Sequence, residues 1–527
     1  MTGRKRFFYN GILLTIVGLS VRSVGMAFNS YITRTVGAEG IGLFTLIMTV
    51  YSFAITFATS GISLTVTRLV AEAIGEDRYS DISRILRYSV IYALVFSSAA
   101  SLTLLFGAEY FALSVLSDAR CELPLRVLGI SLVPIALSSV FSGYFVGVKR
   151  VARNALVQVL GQIFKISITL FFVARFLKYG VEYATLALCI SSTLTEISAF
   201  LVAFIQFLLD RRKGKCGGEV RSQFSDVTKM ALPLALSAYI RSALLTLEHV
   251  LIPKRLRDRG DSLSESLSAY GILHGMALPL LTYPMSPLSS FSGLLVPEFA
   301  ESSARGERAR MCRIASEALD LTLTYASVAA VFLYMFSEEL GFVFYDSYNA
   351  GHYIALMAPV VPIMYLDHVT DSMLKGIGEQ VYSMWVNIAD SLLSVALVFV
   401  LIPIMGISGY AVVIVVMEAF NFILSAWRLK KRIDFRINII RALIIPLAAA
   451  ALSAILTRSL FSMQGAEAGF FSMAAKLVFA LAIFIAIYIP VSKIRANGRC
   501  SFGVQKNQRH KMYAYKKVAQ VQRTELP

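Results

Sequence analysis

Two arginines lie near the middle of long apolar runs, where an ionised side chain is costly. Arg22 occurs in the pattern Ser20-Val21-Arg22-Ser23, and Arg241 occurs in the similar pattern Tyr239-Ile240-Arg241-Ser242. An arginine at the centre of a bilayer costs about 2.5–3.5 kcal/mol on insertion scales. It therefore needs an acid on a neighbouring helix, a route to the interface, or an anion in a water-filled cavity. The planar guanidinium donates two parallel hydrogen bonds to phosphate, so two arginines facing one cavity would fit a diphosphate.

Two polar residues follow these arginines at the spacing of one helix face. Glu248 lies seven residues after Arg241, and Asn29 lies seven residues after Arg22, so each pair shares a face of its helix. Glu248 either neutralises Arg241 or holds a coupling cation. His249 lies on a different face from Glu248, which favours a structural role for this histidine.

Further polar side chains interrupt the apolar runs. Asp367, Asp371 and Lys375 are spaced by four residues. The acid-first order of the last two favours an ion pair, so this stripe either neutralises itself or lines a cavity. The remaining candidates for lining a cavity, joining helices or coupling to an ion are Lys165, Glu196, His274, Asp390 and Glu418. The five cysteines form no CxxC pattern, so we expect no metal site and no disulfide framework. We also expect no cofactor.

The composition shows what kind of scaffold must position these residues. The chain has 527 residues, of which 57% are hydrophobic and 16% are charged, and its mean hydropathy is +0.67. Soluble domains carry about 25% charged residues. The net charge of +17 would suggest nucleic-acid binding in a soluble protein, but this hydropathy excludes that class. It also excludes disordered, collagen-like and secreted disulfide-rich proteins.

The apolar runs predict an all-α polytopic membrane protein with about 14 transmembrane helices. Their glycine and serine content suits helix packing in lipid, and the ten-residue alternation of a β-barrel is missing from the sequence. The predicted spans are 9–35, 41–66, 88–107, 125–147, 155–176, 183–208, 229–253, 269–296, 317–337, 352–374, 382–403, 408–427, 440–459 and 473–492.

The distribution of lysine and arginine predicts a multi-pass protein of the cytoplasmic membrane with both termini inside. With a cytoplasmic N-terminus, about 36 basic residues fall in cytoplasmic segments and about 10 in outer loops, as the positive-inside rule requires. The apolar run after Arg4-Lys5-Arg6 is too long for a cleaved signal peptide, so we expect a retained first span. The basic tail, 493–527, is expected to contact the anionic leaflet.

An internal repeat predicts two lobes of six helices. The arginine pattern of the first span recurs in the seventh, and Leu132-Val133-Pro134-Ile135 in the fourth resembles Val360-Val361-Pro362-Ile363 in the tenth. Because six is even, the two lobes have the same orientation, and their pseudo-twofold axis runs along the membrane normal. The predicted divisions are an N-terminal lobe (1–210), a C-terminal lobe (225–432), two added helices (439–492) and a basic cytoplasmic tail (493–527).

The sequence lacks the motifs of common enzymes, and no catalytic function is expected. It contains no GxxxxGK[ST] phosphate-binding loop, no HExxH and no GxSxG. Any transport would therefore draw on an ion gradient or on the membrane potential.

Several stretches of the chain resemble the stage V sporulation protein B family. The resemblance extends from the first span to about residue 430. The stretches that carry it are Arg22-Ser23-Val24-Gly25-Met26, Gly37-Ala38-Glu39-Gly40-Ile41-Gly42-Leu43, Thr67-Arg68-Leu69-Val70-Ala71-Glu72, Gly271-Ile272-Leu273-His274-Gly275-Met276-Ala277-Leu278-Pro279 and Lys375-Gly376-Ile377-Gly378-Glu379-Gln380.

This resemblance implies a member of the superfamily of multidrug, oligosaccharidyl-lipid and polysaccharide exporters. It implies two six-helix bundles around a central cavity, and export of a lipid-linked cell-wall precursor, notably for the spore cortex. Related lipid II flippases use arginines in the cavity; Arg22 and Arg241 match such positions, and Arg68 is a plausible third.

Three hypotheses follow, and they differ in the partner of the protein. The first is a flippase for a polyprenyl-diphosphate-linked saccharide resembling lipid II, moving among membrane lipids. The second is an ion-coupled multidrug or cation antiporter of the same fold, with a cavity dominated by acids. The third is a membrane scaffold whose tail recruits cell-wall synthesis proteins.

Overall fold

A computed structural model describes the backbone of residues 3–59, 61–76, 78–148, 151–211, 224–461 and 469–490. Side chains are not described for residues 3–22 and 151–155, nor at several single positions. Arg22 therefore has a described backbone but no described side chain, and the predicted basic tail after residue 492 lies outside the described residues. Throughout the described part, the chain is helical and contains no strand.

The first half of the chain forms six helices. Predicted spans one and two are two helices that meet at a kink at Gly37, where the backbone is not helical (φ 82°, ψ 171°). Glycine adopts this conformation without the steric cost that a side chain would bring. Predicted span two also ends earlier than expected, because the helix stops at Thr59 and a new one begins at Ile62. The helices are α1 (Gly3–Thr59), α2 (Ile62–Gly75), α3 (Tyr79–Tyr110), α4 (Glu122–Gly147), α5 (Val151–Phe176) and α6 (Val181–Arg211).

The second half is more interrupted. The predicted eighth span is broken into several pieces, one of which, Gly271–Ala277, is π-helical; the prolines at 279, 284 and 287 follow it. The helices are α7 (Phe224–Asp258), α8 (Leu263–Tyr270), α9 (Leu278–Thr282), α10 (Ser286–Ala304), α11 (Arg308–Met335), α12 (Ser337–Tyr345), α13 (Tyr348–Met357), α14 (Val361–Gly376), α15 (Gln380–Met405), α16 (Ile407–Arg432), α17 (Ile445–Leu460) and α18 (Phe470–Pro490).

Eleven of the described helical stretches are long and apolar enough to cross a membrane. The first of these, Ser23–Ile74, has 52 residues and contains the kink at Gly37. Helix α7 and the segments α8–α10 match predicted spans seven and eight but are not among the eleven. Large apolar side chains such as Phe106 and Phe471 point away from the protein, as lipid contact requires. The chain is thus a multi-pass membrane protein, and the number of about 14 spans stays a prediction.

Helices of each half pack mainly on one another. In the first half, α4 packs on α2, α3 and α6, and α5 packs on α6. In the second half, α15 packs on α7 and α16, while α14 packs on α10, α11 and α16. Helix α17 packs against α11. This grouping agrees with two lobes and added helices, whereas the exact domain boundaries stay predictions.

Helix α1 makes the main contact between the halves, against α7, α8 and the π-helical segment. The backbones approach closely there because two glycines lack side chains. A Cβ added at Gly42 would lie 1.9 Å from the carbonyl oxygen of Leu267, and one at Gly271 would lie 2.3 Å from that of Ala38. Small residues allow such close packing of membrane helices.

Substitution of Gly42 by alanine should destabilise the protein, because the new methyl group would clash with backbone that has no space to move. Overpacking of this kind costs about 1–3 kcal/mol. The matched control is Gly161→Ala, since a Cβ at Gly161 meets nothing within 4 Å. Thermal unfolding of the purified protein in detergent should show a lower midpoint for Gly42→Ala only. Equal midpoints for the two variants would contradict this close contact.

Candidate functional site

Four acidic side chains from four helices of the second half lie close enough for their charges to interact. Asp390 of α15 interacts with Glu248 of α7, and Glu418 of α16 interacts with Asp390. Asp367 of α14 interacts with both Glu418 and Asp390. The sequence separates these residues by up to 170 positions, and helix packing brings them together. We call these four residues the acid cluster.

The acid cluster contains polar atoms that lack partners. The Oδ1 atoms of Asp367 and Asp390 are buried, and neither has a hydrogen-bond partner among the described residues. Burying a carboxylate oxygen without a partner is unfavourable. Such an arrangement is typical of a site that binds a cation or a proton rather than one that serves packing alone.

Asp371 and Lys375 form the ion pair expected from their spacing, with 2.6 Å between Lys375 Nζ and Asp371 Oδ2. Asp371 also accepts a hydrogen bond from the Ser383 hydroxyl of α15. These contacts neutralise Asp371, and its charge also interacts with that of Asp367. In the predicted stripe, Asp371 and Lys375 therefore neutralise each other, whereas the Asp367 carboxylate keeps one oxygen without a partner among the described residues.

Glu248 is buried and is held by hydroxyl groups. The Tyr410 hydroxyl donates to its Oε1 at 3.0 Å, and Ser394 lies close enough to interact with the same carboxyl group. One role considered for Glu248 was to neutralise Arg241. Among the described side chains, the structure shows no ion pair between these two residues. Tyr410 was not singled out from the sequence, because it lies 162 residues further along the chain.

Two histidines lie beside Glu248 in the same interior region. The rings of His249 on α7 and His274 on the π-helical segment are 4.6 Å apart. The Tyr270 hydroxyl oxygen lies 3.1 Å from His249 Nδ1. The ring of Tyr410 lies 5.2 Å from that of His274. His249 thus has polar and aromatic neighbours, and the structural role expected for it stays a prediction.

Arg241 lies on α7 next to the contact between the halves. Tyr239 donates a hydrogen bond to the Phe57 carbonyl of α1 at 3.1 Å, and the Ser242 hydroxyl lies 3.3 Å from that of Thr56. Arg241 itself is not covered by protein, and its charge interacts with that of Asp390. Arg241 is thus an exposed guanidinium near the contact between the halves, and its role in binding an anion stays a prediction.

The remaining candidates of the first half have more varied surroundings. Arg68 on α2 is exposed and pairs with Glu72 at 2.8 Å. Lys165 on α5 is exposed, and its charge interacts with that of Glu196 on α6. Asn29 on α1 is exposed. The side chain of Arg22 lies outside the description.

A second contact joins the halves near the kink at Gly37. The guanidinium of Arg34 donates to the carbonyls of Phe342 at 2.8 Å and Phe344 at 3.0 Å, and also to that of Val343. It thereby caps the carboxyl end of α12, where backbone carbonyls lack helical partners. Sequence reasoning missed this role, because the carbonyls lie more than 300 residues away.

Glu39 on α1 adds a polar link at the same end. It accepts a hydrogen bond from the Ser264 hydroxyl of α8 at 2.7 Å and pairs with Arg120 at 2.9 Å. Arg34 and Glu39 therefore hold both halves of the molecule together at the Gly37 end.

Comparison with known proteins places this architecture among transport proteins. A family model described as polysaccharide biosynthesis protein matches residues 7–303, and a second, MatE, matches residues 264–400. Stage V sporulation protein B of Bacillus subtilis (strain 168) is 28% identical over 450 residues, which cover 82% of this chain and 86% of that protein. The resemblance inferred from the sequence is thereby confirmed.

Solved structures show the same fold. The lipid II flippase MurJ in an inward closed conformation has a TM-score of 0.69 at 14% identity, covering 92% of this chain and 100% of that one. An inward-facing multidrug resistance MATE family transporter of the MOP superfamily has a TM-score of 0.62 at 17% identity, covering 80% and 98%. At these identities the likeness concerns the fold.

Replacement of Asp367 by asparagine should stabilise the protein at pH 8, because it removes one of several like charges from the acid cluster. The expected gain is on the order of 1 kcal/mol, and it should shrink in acid, where protonation relieves the repulsion in the unaltered protein. Thermal unfolding in detergent measures both effects, with the exposed Asp434→Asn as the control. A loss of stability on replacing Asp367 would show that its charge is well compensated.

Proposed function

The chain belongs to the polysaccharide biosynthesis protein family, and from this premise we propose that it is a flippase for a polyprenyl-diphosphate-linked saccharide. The observation that carries the proposal is Arg241, an uncovered guanidinium on α7 beside the contact between the halves. The relative named stage V sporulation protein B suggests that the saccharide serves cell-wall or spore-cortex synthesis.

In this proposal the arginines bind the diphosphate. Arg241 donates paired hydrogen bonds to one phosphate group, and Arg22, at the matching position of the repeat, binds the other. Arg68 would assist only after releasing Glu72, its partner in this conformation. The saccharide crosses between the halves in water, while the lipid tail stays in the bilayer. No bond is made or broken, so the protein is not an enzyme and uses no cofactor.

The contacts at the Gly37 end support alternating access. Arg34 and Glu39 join the halves there, and these polar links would have to break before a substrate could leave at that end. The lysine and arginine distribution puts this end outside and both termini in the cytoplasm. The conformation is then closed to the outside of the cytoplasmic membrane.

The acid cluster suggests how the protein could be driven. Asp390 interacts with Arg241 as well as with Glu248. Binding of a cation to the cluster would weaken the attraction between Asp390 and Arg241 and leave the guanidinium available for phosphate. The coupling ion and the substrate would thus bind at adjacent sites of opposite charge.

A cation antiporter is the second candidate function, and the acid cluster is the observation that favours it. An organic cation would then bind the acids as its substrate. The burial of Glu248 and of the unpartnered Asp367 and Asp390 oxygens argues against a large cation in this conformation, whereas Arg241 is uncovered. We therefore favour the lipid diphosphate as the substrate.

Replacement of Arg241 by alanine should slow flipping of a lipid-linked diphosphate saccharide in proteoliposomes by roughly 10- to 100-fold, the value of one or two lost charge-assisted hydrogen bonds. Arg22→Ala should have a similar effect, and Arg241→Lys should retain part of the activity as a point charge. The matched control is Arg126→Ala, which removes an exposed arginine paired with Glu122.

All variants should insert and unfold like the unaltered protein. Flipping by both Arg22→Ala and Arg241→Ala at the unaltered rate would sink the proposal. Removal of residues 493–527 addresses the scaffold hypothesis, because a flippase should keep its activity in liposomes without this tail.

A further inference from the structure

A continuous row of polar side chains crosses the interior from the acid cluster to α1. Glu248 accepts from Tyr410, whose ring contacts that of His274. His274 packs on His249, and His249 Nδ1 meets the Tyr270 hydroxyl. Tyr270 in turn lies close enough to Thr49 of α1 for their hydroxyl groups to interact. The row thus links α16, α7 and the region of α8 in the second half to a helix of the first half.

One member of this row lacks a partner. The Nε2 atom of His274 is buried and has no hydrogen-bond partner among the described residues. Each nitrogen of a neutral imidazole either donates or accepts one hydrogen bond, and an unsatisfied buried group costs about 1–3 kcal/mol. A phenylalanine or leucine would fill this space without that cost. The two histidines are therefore better explained by a proton they bind than by packing.

The backbone at His274 is also unusual. The segment Gly271–Ala277 is π-helical, and such segments often mark functional sites within helices. In the same segment, a Cβ added at Gly271 would meet Ala38, and one at Gly275 would meet Ile41 at 2.3 Å. The segment that carries His274 is thus also the surface that holds α1.

We propose that His249, His274 and Glu248 form a proton-binding site that controls the contact between α1 and the π-helical segment. One proton on the histidine pair balances the carboxylate of Glu248, so the protonated site has no net charge. Loss of that proton leaves a buried negative charge beside Asp390, which favours a rearrangement of the row and of the helix contact. This inference rests on the proposed function, and it identifies H⁺ as the ion that drives the proposed transport.

Other titratable groups near this site are engaged elsewhere or lie on its edge. Tyr270 and Tyr410 belong to the row, and Asp390 with Arg241 lies beyond Glu248. The titratable side chains described on the helices packed on the π-helical segment include Arg34, bound to the carbonyls of Phe342 and Phe344; Glu39, bound by Arg120 and Ser264; Tyr51, bound to Ser131; Glu265, bound to Ser262; Glu339, paired with Arg458; the exposed Tyr31, Glu338, Tyr348 and His352; the buried Tyr345; and Tyr353.

Histidine NMR tests the site without any transport measurement. The chain has only five histidines, so ¹⁵N-histidine labelling of the full chain in nanodiscs, with single substitutions for assignment, resolves each ring. We expect His249 and His274 to titrate as a coupled pair, so that His274→Gln moves the titration midpoint of His249 by about one pH unit or more. Glu248→Gln should move both midpoints to lower pH, because the balancing carboxylate is gone.

The exposed His352 provides the matched control, since His352→Gln should leave both titrations unchanged. Independent titration of His249 and His274, or no protonation of either ring while the protein stays folded, would overturn the proposal. Tyr410→Phe keeps the ring but removes the hydroxyl group that donates to Glu248. This variant replaces a histidine variant in the titration experiment if that histidine variant does not fold.

Hydrogen exchange tests the link to the helix contact. Amide exchange of residues 38–45 and 271–277 should change at least severalfold across the pH range in which the pair titrates, and His274→Gln should abolish that change. Exchange that follows the same pH profile in this variant would contradict the link. Coupled titration together with unaltered flipping by Arg241→Ala would mean that the proton site exists but that the proposed substrate is wrong.

Discussion

Ionised side chains are costly inside a bilayer, and this cost explains much of the arrangement of the second half. Four acids from α7, α14, α15 and α16 lie close enough for their charges to interact. Their mutual repulsion is itself unfavourable, and two of their oxygens remain without partners in the described part. Under the proposed function, binding of a cation or a proton would relieve this repulsion.

The same constraint separates two kinds of site within a short distance. Arg241 is exposed beside the contact between the halves, whereas Glu248, about two helical turns further along α7, is buried and accepts a hydrogen bond from Tyr410. Asp390 interacts with both. In the proposed mechanism, a positive site for a lipid diphosphate and a negative site for a coupling ion would share this carboxylate. A change in the charge of the acid cluster would then alter the affinity of Arg241 for phosphate. Arg34 and Glu39 join the halves at the Gly37 end.

Local patterns made much of the fold predictable, and tertiary contacts account for what was missed. Hydropathy predicted the long apolar helices, and the four-residue spacing of Asp371 and Lys375 predicted their ion pair. Hydropathy also predicted a break between the first two spans, whereas the position of the break at Gly37 was not predicted, because only the backbone angles at that glycine reveal it. The contact of Tyr410 with Glu248 joins residues 162 positions apart. No periodicity in one helix can reveal which distant helix faces it.

The central claim is that an arginine between two helical halves selects a lipid diphosphate. Equilibrium binding to the purified full chain in nanodiscs tests it most directly, with polyprenyl-diphosphate and polyprenyl-monophosphate saccharides as ligands and tetraphenylphosphonium as competitor. We expect the diphosphate to bind about tenfold tighter than the monophosphate, a difference of about 1.4 kcal/mol, and the cation not to displace it. Equal affinity for the two lipids, together with displacement by the cation, would contradict the claim and favour a cation transporter.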